Sequence, residues 1–100
     1  MSQPPAIHHD LHARRFTLEV DGLEAELVYR LLEGAGHAGP VMVIDHTGVP
    51  EAIGGRGLAG QLVQAAFEHA RAAGWTVVPA CSYARAWVER HPDYADLVAH

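Results

Sequence analysis

The segment Val49-Pro50-Glu51-Ala52-Ile53-Gly54-Gly55-Arg56-Gly57-Leu58-Ala59-Gly60 joins an apolar run, Val41-Met42-Val43-Ile44, to a long amphipathic stretch. Four consecutive apolar residues read as a strand buried on both faces, continuing through Asp45-His46-Thr47 and stopped by Pro50. From Gly57 to Ala73, Leu58, Leu62, Val63, Ala66, Phe67, Ala70 and Ala73 fall on one helical face. Gln61, Gln64, Glu68 and Arg71 fall on the other. Gly74 is placed to end that helix, and Trp75 to Ala80 reads as a further strand whose Pro79 limits the ladder at its end. Strand, helix and strand in this order form a right-handed crossover with parallel strands. The chain is thereby committed to an α/β fold with a glycine-rich turn at the mouth of its crossover.

Upstream, Phe16, Leu18 and Val20 alternate with Thr17 and Glu19, the period of a half-buried strand. Asp21-Gly22 is a strong hairpin signal. Leu23, Ala25, Leu27, Tyr29 and Leu31 then alternate with Glu24, Glu26 and Arg30. Gly34 to Pro40 reads as a loop. Downstream, a second helix is expected from about Tyr83 to His91, with Ala84, Trp87 and Val88 on its apolar face and Pro92 beyond its end. The architecture is α/β (α+β): an N-terminal antiparallel hairpin, then a βαβ unit and a C-terminal helix on one mixed sheet. Residues 1–13 read as a flexible N-terminal segment and 14–100 as one domain. His8, His9, His12 and His37 fall in expected tail or loop.

Composition narrows the function classes. Hydrophobic residues at 49% against 19% charged describe a globular chain. A net charge of −5 leaves no basic stripe with which to release counterions from nucleic acid. The single cysteine, Cys81, excludes an internal disulfide and a multi-cysteine zinc site, and a reducing, cytoplasmic setting is expected. No apolar run approaches the ~20 residues of a membrane span, and the N-terminus lacks the charged-then-apolar pattern of a signal peptide. His91, Asp93 and His100 have no recognised metal-ligand spacing, so no metal is expected.

In open α/β sheets ligands sit beyond the carboxyl ends of the parallel strands, which here are Asp45 to Val49 and Ala80 to Ser82. Glycines let backbone N–H groups approach a ligand closely. A following helix points its positive end at the same spot. Together they make an anion site suited to phosphate, with Arg56 as an added charge; the alternative is a plain strand-to-helix loop. No Lys-Ser/Thr pair follows, which excludes a Walker A loop. The strand topology brings His46 and Cys81 to this same region. A histidine there can serve as a general base or be one bonded to a neighbour. Cys81 can be a nucleophile or proton donor ahead of a helix N-terminus or a small buried hydrophobe. Trp87 reads as core packing, whereas Tyr83, one turn earlier, can face the ligand.

The segment His46-Thr47-Gly48-Val49-Pro50, the turn Gly54-Gly55-Arg56-Gly57-Leu58-Ala59 and the helix after it resemble the acetyl-CoA-binding core of GNAT-superfamily N-acetyltransferases. Pro79-Ala80-Cys81-Ser82-Tyr83 and Arg90-His91-Pro92-Asp93-Tyr94 are similar to a minimal, single-domain branch. The resemblance runs from about Val41 to Val98. It implies acetyl-CoA as cosubstrate, its pyrophosphate on the N–H groups of Gly55 to Ala59 and its pantetheine along the strand at Val49. Gly54, Arg56, Ser82 and Tyr83 complete the expected cofactor contacts, with His46 and Cys81 as the catalytic pair. The chain departs from the family in two places: Gly54 stands where Arg or Gln is usual, and Trp87 stands where many members carry an acidic tyrosine. The helices that usually separate the first two strands are absent, which implies an open cleft suited to an exposed amine or a small polyamine. The expected protein is a monomer or weak homodimer transferring acetyl to an amine. The alternative is a non-catalytic CoA-binding or regulatory module.

Overall fold

A computed structural model describes residues 6–33 and 39–99. Five strands form one sheet in the order β1-β2-β3-β4-β5: β1 Ile7–Asp10, β2 Arg15–Val20, β3 Leu23–Leu32, β4 Val41–Gly48 and β5 Thr76–Pro79. Helix α1, Leu58–Ala73, crosses from β4 to β5, and α2, Ser82–Arg90, follows. Strands β1 to β4 pair antiparallel, and β4 pairs parallel with β5. The mixed sheet, hairpin, crossover and C-terminal helix match the sequence reading. The 2–3 hairpin turns on Asp21 and Gly22, both at positive φ (52° and 77°), the conformation that suits the sheet's right-handed twist and favours Asp-Gly.

The segment read as a flexible lead is partly strand: Ile7 to Asp10 pair with Leu18 to Arg15. Its alternation is hidden because its inward residues are Ile7 and His9 rather than two aliphatics. His9 lies flat on Phe16 at 3.9 Å, and its Nε2 meets the Tyr29 hydroxyl at 2.7 Å. Of the histidines assigned to tail or loop, His9 is thus a packing residue, and His37 lies outside the described residues together with most of the Gly34–Pro40 loop.

The core lies on one side of the sheet. Phe16, Leu18, Ala25, Leu27, Tyr29, Met42, Ile44 and Val77 meet Leu62, Val63, Ala66, Phe67 and Ala70 of α1. Each large apolar side chain buried there stabilises the fold by roughly 1.5–3 kcal/mol. On the other face Val28, Val43 and Val78 lie among charged residues that pair across strands: Arg15 reaches Glu24 at 2.6 Å and Glu26 at 3.3 Å. Arg30 grips Asp45 through two bonds of 2.7 and 3.0 Å, which holds the Asp45 carboxyl below the usual carboxylate range. After α2, short 3-10 turns over Pro92–Leu97 place Tyr94 on Phe67 and Trp87. The chain then rejoins the sheet edge, where the Ala99 N–H donates to the Val77 carbonyl at 2.8 Å.

One irregularity sets up everything at the open end. Val28 pairs with His46 and Tyr29 with Ile44, so Asp45 is an extra residue in β4. Such a bulge reverses which face the following side chains occupy.

Candidate active site

The parallel ladder between β4 and β5 ends at Ile44 and Pro79, followed by a last contact from the Cys81 N–H to the Ile44 carbonyl at 3.0 Å. Beyond it the two chains part. The Ala80 N–H turns back to the Val78 carbonyl at 3.0 Å, a three-residue turn that swings the chain into α2. Strand β4 bulges at Asp45 and continues to Gly48. A wedge therefore opens between the end of β4 and the start of α2.

At its mouth sits the glycine turn. Buried Ile53 anchors a single 3-10 turn, Glu51–Ile53, closed by the Gly54 N–H on the Glu51 carbonyl. Gly55 and Gly57 take φ of 77° and 75°, a region that costs other residues roughly 1–2 kcal/mol. Gly57 is the N-cap of α1, with no side-chain cap and no acidic residue in the first turn. The first bond of the helix runs from the Gln61 N–H to the Gly57 carbonyl. The N–H groups of Leu58, Ala59 and Gly60 thus precede the ladder, as the first turn of any helix requires. The positive end of a 16-residue helix is bare and favours an anion.

Val49, Gly54, Gly55, Gly57, Leu58, Ala59 and Tyr83 line one cleft of about 240 Å³. These seven of the nine expected cofactor residues are brought together. Arg56 instead pairs with Asp21 at the hairpin tip, 3.2 Å away, both side chains exposed. Ser82 lines a separate groove with Ala80, Arg85, Ala86 and Glu89 on the outer side of α2.

Across the wedge, Cys81 is the N-cap of α2 and its sulfur accepts the Ala84 N–H at 3.3 Å. Its other partner is the Thr47 hydroxyl, at 3.5 Å. His46 does not meet Cys81. The bulge turns Thr47 to the side of Leu27 and Ile44 and leaves His46, paired with Val28, exposed on the opposite face. There the imidazole covers Gly48, where an added Cβ would lie 2.8 Å from its Nε2. The register thus puts His46 on the sheet face opposite to Thr47, the residue that Cys81 touches. Thr47, which sequence reasoning did not single out, is the side chain that touches Cys81; the phase reversal that puts it there has no local sequence signature.

Trp87 packs as expected, 7% exposed, stacked between Phe67 at 5.5 Å and His91 at 3.9 Å. Its Nε1 and the Tyr83 hydroxyl both approach Gly60, where a Cβ would lie 3.5 and 3.4 Å from them. Among the described residues no group of three or more His, Cys, Asp or Glu side chains is placed to hold a metal ion, and no helix is long and apolar enough to cross a membrane.

Residues 15–97 match the family model for GCN5-related N-acetyl-transferases. The fold is similar to the solution structure of a GCN5-like protein from Staphylococcus aureus, with a TM-score of 0.69 and 30% identity over 94% of this chain and 87% of that one. The glycine cleft, the wedge beside it and these two matches agree, and the chain belongs to the GCN5-related N-acetyltransferase family.

Proposed function

We propose that this protein uses acetyl-CoA to acetylate an amine by direct transfer within a ternary complex. The observation that carries this reading is the uncapped N-terminus of α1 at a glycine-lined cleft that Tyr83, two residues after the α2 N-cap Cys81, also lines. The residues present fit the cosubstrate. Two positive-φ glycines leave the cleft floor free of side chains, and no acidic side chain of the first helical turn opposes a phosphate.

In this reading the N–H groups of Gly55 to Ala59 hold the pyrophosphate, and Gly54 and the Val49 backbone line the path of the pantetheine arm. Tyr83 closes the side of the cleft. Arg56 reaches the rim on leaving its partner Asp21, and Ser82 faces the neighbouring groove. His46, on the outer face, takes the proton of an amine arriving from that side. A backbone N–H near Val49 stabilises the developing oxyanion. Cys81, on the inner side, gives a proton to the departing CoA sulfur. Base and acid on opposite faces suit a reaction in which acceptor and donor enter from opposite sides. Direct transfer is favoured over an acetyl-cysteine relay because exchanging one thioester for another gains little free energy. The acceptor is a small-molecule or protein amine, and the protein acts as a monomer or weak homodimer in a reducing, cytoplasmic setting.

One feature favours a second reading, a CoA-binding module without turnover. Trp87, packed between Phe67 and His91, supplies no acid where many relatives have a tyrosine. A broad amine panel separates the two, since robust transfer to any amine eliminates the module.

Calorimetric titration with acetyl-CoA and with CoA tests the shared premise. Binding to the wild-type protein is expected, weakened at least about tenfold in Gly57→Val, a loss of about 1.4 kcal/mol, because valine tolerates φ of 75° poorly and projects a side chain at the helix start. No binding to either ligand overturns the reading.

A further inference from the structure

The Cys81 sulfur is contacted from two directions, by groups of two different elements. The Ala84 N–H approaches from within α2 and the Thr47 hydroxyl from β4, 34 residues earlier. Both groups are partly buried, where a hydrogen bond is screened less than in water. Cys81 is the only hydrogen-bond partner of the Thr47 hydroxyl among the described residues. Its contact exists only because the bulge at Asp45 turns residue 47, rather than 46, toward α2. Bulges that re-aim one side chain recur beside active sites.

We infer that Thr47 is a positioning residue for acetyl transfer, its hydroxyl donating to Cys81 Sγ. The inference rests on the role of Cys81 proposed above. In that step the amine nitrogen forms a bond to the acetyl carbon and the carbon–sulfur bond of acetyl-CoA breaks, its electron pair leaving on the CoA sulfur. The Cys81 S–H proton passes to that sulfur, giving free CoA and a Cys81 thiolate. The proton lost by the amine, taken up by His46 and exchanged with water, restores the thiol. A neutral thiol is a weak acceptor, and the thiolate a strong one. The Thr47 and Ala84 donors are therefore worth most after the proton has left. With both donors on its lone pairs, the Cys81 S–H is left to point into the wedge. Thr47 thus acts on the rate of the step and not on the binding of acetyl-CoA, whose cleft it does not line.

The test uses the full chain and steady-state kinetics with whichever amine the panel identifies. Thr47→Val, nearly isosteric, is expected to lower kcat about tenfold, or about 1.4 kcal/mol, with the KM for acetyl-CoA within about twofold. Thr47→Ser keeps the hydroxyl and is expected to recover most of the rate. In a Cys81→Ala background Thr47→Val is expected to cost nothing further, because the hydroxyl has lost the atom it serves. If the valine variant does not fold, Thr47→Ala is read in the same way. An unchanged kcat in Thr47→Val, no recovery with serine, or an equal loss in the Cys81→Ala background overturns the role of Thr47 while leaving that of Cys81 standing. Wild-type turnover by Cys81→Ala overturns the role of Cys81 itself, and the inference with it.

Discussion

Under the last turns of α1, His9 lies between Phe16 and the edge of His69, and His69 meets Trp75. Tyr29 beneath them, 1% exposed, has its hydroxyl satisfied by His9. At the other end of the same helix the first turn has no side-chain cap, the strands below have separated, and glycines replace side chains. One helix thus joins a packed end, where polar groups are paired inside the protein, to an open end whose backbone N–H groups face outward. The contrast teaches how so small a domain divides its work. The aromatic end is closed by stacked rings and a satisfied hydroxyl. The open end keeps an uncapped helix start and positive-φ glycines, the backbone donors that anion binding requires.

Damage at the packed end should cost stability and spare binding. Phe16→Ala removes the platform on which His9 rests and opens a cavity in the core, with an expected loss of about 3–5 kcal/mol, read by denaturant titration at low temperature. Acetyl-CoA affinity of the folded fraction should be nearly unchanged. A matching loss of affinity would mean that the two ends are one cooperative unit with respect to the ligand.

A smaller effect should follow pH. His9 is held below the ordinary histidine range, first by burial and then by His69, with Arg14 acting in the same sense and Asp10 against it. The neutral imidazole is thus the form the fold prefers. The unfolded chain takes up the proton first as pH falls below about 6.5. This contribution to stability is therefore present above that value and lost as pH falls through the depressed folded value. Thermal melts at about pH 7.5 and about pH 5 should show a larger drop for the wild-type protein than for His9→Phe, which keeps the stack on Phe16 but cannot titrate. Equal drops would place the acid-sensitive group elsewhere.

The smallest effect sharpens the open end. Asp21→Asn keeps a residue that suits the hairpin turn and removes the counter-ion of Arg56. Stability should change by no more than about 0.5 kcal/mol, as for most surface substitutions. Freed toward the glycine turn, Arg56 should raise CoA affinity about twofold to threefold at low salt, an advantage that fades as salt screens it. Unchanged affinity at low salt would show that Arg56 takes no part in holding phosphate.

Much of this molecule is legible from local pattern. The alternation of Phe16 and Leu18 with Thr17 and Glu19, the Asp21-Gly22 turn, the apolar face of α1 and its closing Gly74 are each set by residues within a few positions of one another. They appear in the structure within a residue or two of the expected bounds. Most of the glycine cleft is legible for the same reason, since Val49, Gly54, Gly55, Gly57, Leu58 and Ala59 fall within one short segment; Tyr83 joins them from beyond β5, the strand next to β4. The first strand was not, because an inward histidine breaks its apolar pattern and is justified only by Phe16, Tyr29 and His69.

By itself, then, the sequence determined the strands, the crossover helix and the bare glycine turn, because hydrophobic period and backbone conformation are properties of short segments. Tertiary structure alone decided which of two adjacent residues, His46 or Thr47, meets Cys81, and that Arg56 turns to Asp21. Those outcomes depend on one extra residue in the register between β3 and β4 and on the approach of a distant hairpin tip. Register is a relation between strands and is written in neither strand alone.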